Sequence, residues 1–190
     1  MITAILLAAG QSKRIPNENK LIKKFKNKPL INHILKSLIK SKVNKIIIVL
    51  GYEYVKIKKV LLKSKKINLV VNKYYQKGIS SSIKAGIKKI NKKNKGFIIV
   101  QSDMPFIKSH HINKIYFSLL KKNHLVHVLK YKKLFGNPIG FDISVIQKFK
   151  KIKGDIGAKY IIKRLSKNTN FIKISTNKIF KDFDLKKDFN

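Results

Sequence analysis

The chain has 190 residues, with 45 Lys and Arg against 8 Asp and Glu, and 44% of it is hydrophobic. That suits one folded domain spanning residues 1–190 and excludes a disordered polyampholyte. With no Cys there is no disulfide, no thiolate-bound zinc and no cysteine nucleophile, and the longest apolar stretch, Ile2 to Ala9, is far short of the ~20 residues a membrane span needs.

Ile2–Ala8 is a short apolar run ending at Ala9-Gly10, the pattern of a buried parallel strand. Pro29 then opens a helix with Leu30, Ile31, Ile34, Leu35, Leu38 and Ile39 on one face. Lys45–Leu50 predicts a second strand ended by Gly51, Tyr54–Leu62 a helix, and Ile67–Val71 a third strand. Ser80 begins a helix with Ile83, Ile87 and Ile90 on its face, and Phe97–Val100 is a fourth strand. Ser109 is placed to cap a helix running to Leu120, and His124–Leu129 is a fifth strand. After Gly136-Asn137-Pro138 comes a short extended piece, Ile139–Phe141. Ser144–Lys150 and Ala158–Leu165 read as helical, and Phe171–Ser175 and Ile179–Asp184 as closing strands. Strands alternating with helices predict an α/β fold, a mostly parallel sheet with helices on both faces. Ligands of such sheets lie beyond the carboxyl ends of the strands, where Gly10, Gly51 and Asp103 all fall.

The formal charge of +37 favours any polyanion through counterion release. Yet all but two of the basic residues, Arg14 and Arg164, are lysines, and they are spread over every segment. Nucleic-acid readers rely on the arginine fork, so only non-specific, salt-sensitive nucleic-acid binding is expected. Lys13 and Arg14 follow the first apolar run instead of preceding it, which argues against a secretory signal and for a cytoplasmic protein with no membrane partner. The acids are few: Glu18, Glu53, Asp103, Asp142, Asp155, Asp182, Asp184 and Asp188. Any carboxylate-bound metal must draw on these.

Neither a G-x-G-x-x-G nor a G-x-x-x-x-G-K-[ST] motif occurs. Instead strand one runs into Leu7-Ala8-Ala9-Gly10-Gln11-Ser12-Lys13-Arg14, followed by Asn19-Lys20-Leu21. Small residues at Ala8, Ala9 and Gly10 let a backbone turn approach a ligand and aim amides at phosphate. Arg14 offers a bidentate phosphate contact and Lys20 a point charge. Asp103, just past a buried strand, is a natural hard ligand for Mg²⁺ on nucleotide phosphates. Gly78-Ile79-Ser80-Ser81-Ser82 places three hydroxyls at a helix start, either as caps or as donors to a nucleoside. Gly136-Asn137-Pro138 and Gly154-Asp155-Ile156-Gly157 are glycine turns that either face a second substrate or merely punctuate the chain. The five histidines form no zinc pattern. His33 and His127 are expected to be packed, and His110-His111 to lie at the surface.

The segments LLAAGQSKR…NKL, PLINHIL, VNKYYQKGISSSIKAGI, QSDMPFI, GNPIGF and KGDIGAKYII occur in this order. In that order they resemble the molybdenum-cofactor cytidylyltransferases, a branch of the MobA-like NTP transferases in the nucleotidyltransferase superfamily. The resemblance runs from Ile2 to about Lys163. It implies a Rossmann-like, nucleotide-diphospho-sugar-transferase-like domain that uses Mg²⁺ and an NTP. Its activity would be transfer of a CMP or other NMP group to a phosphomonoester, most naturally molybdopterin, with a molybdoenzyme receiving the product; a sugar phosphate is the alternative acceptor. Leu7, Ala8, Ala9, Gly10 and Ser12 would bind the nucleotide, with Gly78, Ser80, Ser81 and Ser82 on the nucleoside. Arg14, Lys20 and Asp103 would be catalytic, with Asp103 on the metal. Asn137, Asp155 and Lys159 would meet the acceptor. Asp155 would be a second metal ligand, with Asp182 or Asp184 as alternatives. Guanylyl-transferring relatives carry Gly-Gly where this chain has Ala8-Ala9, so CTP is favoured over GTP. Two departures stand out: Ile15-Pro16 replaces the usual Met-Gly, and the tail lacks a Thr-Pro between its acids.

Overall fold

Strand β1, Ile2–Ala8, is buried along its whole length because it is covered on both faces. Ile2, Ala4, Leu6 and Ala8 point into one apolar layer and Ile5 and Leu7 into the other, the period-two alternation of a central strand. The computed structural model describes every residue except Lys13, Pro16, Asn17, Lys92 and Asn190. The effect expected of Pro16 therefore lies outside the described residues.

A two-residue hairpin, β2 (Lys24–Phe25) and β3 (Lys28–Pro29), precedes helix α1, Leu30–Lys40. Then follow β4 (Lys45–Leu50), α2 (Tyr54–Val60), β5 (Ile67–Val71), α3 (Ile79–Ile87), β6 (Gly96–Gln101) and α4 (Ser109–Leu120). The rest comprises β7 (Val126–Tyr131), β8 (Leu134–Asp142), a 3₁₀ stretch at Ile143–Lys151, α5 (Ala158–Arg164) and β9 (Thr169–Lys173). The seven-stranded sheet has the order β5-β4-β1-β6-β8-β7-β9. β5, β4, β1 and β6 are mutually parallel, β8 runs antiparallel to β6 and β7, and β9 is parallel to β7. The sheet is thus mostly parallel, with α1 and α4 packed into one layer and α3 and α5 into the other. Among the described residues no helix is long and apolar enough to cross a membrane.

Several expectations are corrected. Ile179–Asp184 is not a strand: one 3₁₀ turn, Lys178–Phe180, leads into chain that makes no ladder. Its alternation of apolar and charged residues mimics a strand, but Ile179 and Phe183 are buried as plugs, and the Phe183 N–H donates to the Asp103 carbonyl at 3.0 Å. Ile139–Phe141 is one part of the nine-residue β8 at the centre of the sheet. Ser144–Lys150 belongs to the 3₁₀ stretch, whose start is capped by the Asp142 carboxylate accepting from the Ser144 N–H. The strand expected at His124–Leu129 begins two residues later, and the one at Phe171–Ser175 spans Thr169–Lys173. Ser109 is the first residue of α4 and not its cap; the imidazole of His111 accepts from the Lys108 N–H instead. His111 is therefore buried, contrary to the surface position expected for it, while His110 is exposed.

Candidate functional site

Parallel pairing of β4, β1 and β6 brings Leu50, Ala8 and Gln101 to one edge of the sheet. A cleft lies there, made of two adjoining hollows that share Leu7, Ile79, Gln101 and Asp155 in their walls. The first hollow, of about 450 Å³, is bordered by Ala9, Gly10, Ser12, Arg14, Lys20, Asp103 and Asp184 on one side and by Tyr75, Gln76, Gly78 and Ser82 on the other. The bend after β1 is held from below. The Ala9 carbonyl accepts from the Tyr52 N–H at 3.3 Å, and a side chain at Gly51 would come within 2.7 Å of the Ala9 methyl. Ser12 sits in the left-handed region, at φ 53°, and its hydroxyl accepts from the Lys20 N–H at 3.2 Å, closing the loop on itself.

Half of the chain's eight carboxylates line this cleft: Asp103, Asp155, Asp182 and Asp184. Among the described residues they form no group of three or more acids or histidines placed to hold a metal ion, and two of them are paired with cationic side chains of the chain itself. Lys20 Nζ stands 2.7 Å from Asp103 Oδ2 and 2.7 Å from Asp184 Oδ1, and Arg14 pairs with the other oxygen of Asp184. Burial disfavours the Lys20 ammonium, but the charges and hydrogen bonds of Asp103 and Asp184 outweigh it, and its pKa lies above the ordinary lysine value. Asp182 has its pKa raised, by burial first and then by Asp184 and Asp103. Asp103 Oδ1 is buried with no hydrogen-bond partner among the described residues. An orphaned carboxylate oxygen is costly and points to a missing partner. Hard oxygen donors from Asp103 and the tail acids suit Mg²⁺.

The two glycine motifs form one unit. Gly78 has φ +88°, and a Cβ there would lie 2.4 Å from the Gly154 carbonyl carbon, so only glycine fits. The Gly154 carbonyl accepts from the Ser80 N–H at 3.1 Å, and Asp155 Oδ1 from the Ile79 N–H at 3.3 Å. Asp155 thus caps α3 from another segment while facing both hollows.

The second hollow, of about 360 Å³, has apolar walls from Ile83, Ile99, Met104, Phe135 and Phe180, with Asn137, Lys159 and Asp182 among its polar groups. The register of β7 and β8 shifts between Val128 and Leu129, and this bulge accommodates Asn137-Pro138. Asn137 is 8% exposed and its Oδ1 has no partner among the described residues.

The structure therefore brings Leu7, Ala9, Gly10, Ser12, Arg14, Lys20, Gly78, Ser82, Asp103, Asn137, Asp155 and Lys159 to one cleft. Ala8 is instead packed in the core beneath the bend, as the alternation of β1 requires. Ser80 and Ser81 correct the expectation for the serine motif: they open on a separate hollow on the far side of α3, because successive helical residues diverge by about 100°. The Ser81 hydroxyl donates to the backbone of Gly78, and its oxygen accepts from Asn72. Tyr75, Gln76 and Gln101 join the first hollow without having been singled out, and Phe135 and Phe180 the second. Gln101, at the end of β6, and Tyr75 and Gln76, inside the VNKYYQKGISSSIKAGI segment, could have been flagged; Phe135 and Phe180 carry no motif. His127 is a satisfied core residue, bonded to Ser118 Oγ at 2.7 Å and the His124 carbonyl at 3.0 Å. His33 bonds the Phe25 carbonyl.

Comparison with known proteins agrees with this layout. The chain is 28% identical over 195 residues to the bifunctional protein GlmU of Thermosipho melanesiensis, an alignment covering 95% of this chain and 42% of that protein. It spans less than half the length of the curated relatives it matches. Among solved structures, the homologue of Mycobacterium tuberculosis Rv0371c from Mycobacterium sp. strain JC1 superposes with a TM-score of 0.86 at 18% identity, covering 99% of this chain and 92% of that one. A nucleotidyl transferase from Methanothermobacter thermautotroptrophicus superposes with a TM-score of 0.84 at 15% identity, over 100% and 94% of the two chains. These likenesses establish the α/β Rossmann-like fold. The family model for the MobA-like NTP transferase domain matches residues 4–169, from the third residue of the sheet's central strand to the first residue of β9, and the chain belongs to that family.

Proposed function

We propose that this protein is a Mg²⁺-dependent nucleotidyltransferase of one domain that moves an NMP group, preferably CMP, from an NTP to an anionic phosphomonoester. The observation that carries the reading is Asp103: a carboxylate with an orphaned buried oxygen, paired to Lys20, in the wall of the first hollow. The first hollow would take the NTP, with its phosphates against the bend after β1, Arg14 and Lys20. The second would take the acceptor against Asn137 and Lys159.

A phosphomonoester has a second pKa near ~6 and is largely a dianion at neutral pH, so it needs no general base. Its oxygen attacks the α-phosphorus in line; the new O–Pα bond forms as the bond from Pα to the bridging oxygen breaks, and that electron pair leaves with pyrophosphate. Arg14 and Lys20 neutralise charge on the triphosphate, which requires Lys20 to exchange its carboxylate partners for phosphate oxygens. Mg²⁺, when bound, would screen phosphate charge and act as a Lewis acid there. Asp103 and the tail acids Asp184 and Asp182 are the residues that would hold it. Asp155, engaged with the start of α3, is better suited to positioning the acceptor.

Two features favour particular substrates. The resemblance supports CTP over GTP, since guanylyl-transferring relatives carry Gly-Gly where this chain has Ala8-Ala9. The apolar residues of the second hollow, Ile83, Ile99, Met104, Phe135 and Phe180, suit a fused ring such as that of molybdopterin. A sugar phosphate is the second reading, favoured by Gln101, Asn137 and Asp182 as partners for hydroxyls. On this reading the protein would work in the cytoplasm, where its NTP is, and a molybdoenzyme would receive a cytidylylated molybdopterin.

Pyrophosphate release from each NTP in turn, with molybdopterin or sugar 1-phosphates as acceptor, tests the proposal. Release with CTP and molybdopterin is expected. Release only with a sugar phosphate selects the second reading. No release with any pair, alongside salt-sensitive RNA binding, would leave a non-catalytic polyanion-binding module instead.

A further inference from the structure

Strand β5 is an outer strand of the sheet, paired on one side to β4. In a parallel ladder, the residue that donates to its neighbour also accepts from it, and the residues between them turn both groups the other way. The Lys66 carbonyl accepts from the Ile46 N–H, and the Asn72 N–H donates to the Leu50 carbonyl. The even positions of β5 therefore serve β4, and Leu69 and Val71 turn their N–H and C=O groups toward the open edge. Both side chains are exposed, Leu69 by 40% and Val71 by 44%.

An edge that must stay unpaired usually carries a charge or proline. β5, with the sequence INLVV, carries neither. Instead the charges stand around it. A groove of about 670 Å³ runs between β5 and α3, with Val70, Val71 and Ala85 in its lining and Tyr74, 65% exposed, at its side. Six of its lining residues are lysines, including Lys73, Lys84 and Lys88, and none is acidic or arginine. This is the hollow that receives Ser80 and Ser81 and takes no part in the cleft.

We propose that this groove is a docking site for a partner protein's extended segment of alternating acidic and apolar residues, which adds as a further strand to the free edge of β5. The ladder groups of Leu69 and Val71 bind its backbone; because side chains alternate between the two faces, its acids on the α3 side meet the lysine rim and its apolar residues on the other side lie beside the exposed Leu69 and Val71 side chains. The absence of arginine and the presence of unpaired ladder groups favour a peptide strand over nucleic acid. A second copy of this chain would bring lysine rim against lysine rim.

The test uses an acetylated peptide of about eight residues alternating Glu with Val or Ile. Its companions are a form N-methylated on every second amide, a form with Lys for Glu, and an oligonucleotide. Binding is followed by fluorescence anisotropy, and hydrogen exchange reports on the amides of Leu69 and Val71. The acidic peptide is expected to bind and to slow exchange at those two amides. N-methylation in the ladder register and the Lys-for-Glu exchange should each weaken binding at least about tenfold, or roughly 1.4 kcal/mol. Val71→Pro removes an outward N–H that β4 does not use and should abolish binding while pyrophosphate release is unchanged. Should that variant not fold, Lys84→Glu with Lys88→Glu should still weaken the peptide by about tenfold and flatten its salt dependence. Equal binding of the N-methylated peptide, unprotected Leu69 and Val71 amides, or tighter binding of the oligonucleotide at the groove would overturn the proposal. So would self-association that Val71→Pro abolishes, in the absence of peptide binding.

Discussion

Lys20→Met is the most direct probe of the proposed cation site. Lys20 bridges Asp103 and Asp184 at 2.7 Å each, with side chains only 15%, 18% and 31% exposed. Exposed ion pairs contribute about 0–1 kcal/mol, whereas breaking a buried pair costs about 3–5 kcal/mol. These contacts lie between the limits, so the variant should lose about 2–4 kcal/mol at neutral pH. For a chain of this size that is a fall in Tm of roughly 5–15 °C. The loss should depend on pH with a definite sign. Asp182 already has its pKa raised by burial, Asp184 and Asp103, and Lys20 counters that rise, so removing the ammonium raises it further. The deficit should therefore shrink as the pH is lowered from about 7 to about 4.5 and Asp182 takes up its proton. Mg²⁺ should raise the Tm of the variant more than that of the wild type, because the divalent ion meets three carboxylates with no ammonium competing. Thermal unfolding followed by circular dichroism at both pH values, with and without Mg²⁺, reads all of this. A Tm within ~1 °C of wild type at neutral pH, or an equal Mg²⁺ response in both proteins, would refute the assignment of these residues to a cation-binding cluster.

Asp103→Asn should leave the circular dichroism spectrum intact and lower pyrophosphate release by at least about 10²-fold; rates near wild type would remove Asp103 from the reaction. Asn137→Ala should raise KM for the acceptor by about tenfold, roughly 1.4 kcal/mol of lost binding, with KM for the NTP unchanged, as steady-state kinetics with each substrate varied would check. Gly78→Ala should destabilise the fold by about 2–4 kcal/mol in urea unfolding, since its Cβ would strike the Gly154 backbone at φ +88°. His111 has its pKa lowered to about 4, by burial first and then by His110, Lys114 and Lys108. A base whose folded pKa is depressed loses stability as pH falls from its unfolded value near ~6.5 toward the folded one. His111→Gln, which keeps an acceptor for the Lys108 N–H, should flatten the decline in Tm over that interval.

The sequence carried the parallel part of the sheet because burial on both faces leaves no polar alternation to misread: Ile2–Ala8 and Lys45–Leu50 end where expected. It carried the antiparallel part poorly. Gly136-Asn137-Pro138 reads as a turn, yet it lies inside β8, since a bulge absorbs residues that local propensity would assign to a loop. The tail reads as a strand because Ile179, Phe183 and the acids alternate loosely, but it pairs with no strand of the sheet. Phe183 instead fits among Phe25, Phe106 and Phe189, with ring centroids 4.7, 5.8 and 5.3 Å away. No local pattern announces such a contact, which joins a hairpin near the start of the chain to its last residues.

That same contact decides which of the late acids stand beside Asp103, which the sequence alone could not show. Asp155, Asp182 and Asp184 are equivalent as text: each is a carboxylate near a turn late in the chain. What separates them is which backbone reaches Asp103. Phe183 bonds the Asp103 carbonyl and buries its ring beside the hairpin, so the residues on either side of it, Asp182 and Asp184, are carried to the cleft as a pair. Asp155 is carried there too, but by the Gly78–Gly154 contact, and one of its oxygens is held by the start of α3. Burying a phenylalanine contributes about 2–3 kcal/mol. The apolar plug at Phe183, together with the ion pairs from Lys20 and Arg14, is thus the physical reason that this group of acids persists beside Asp103.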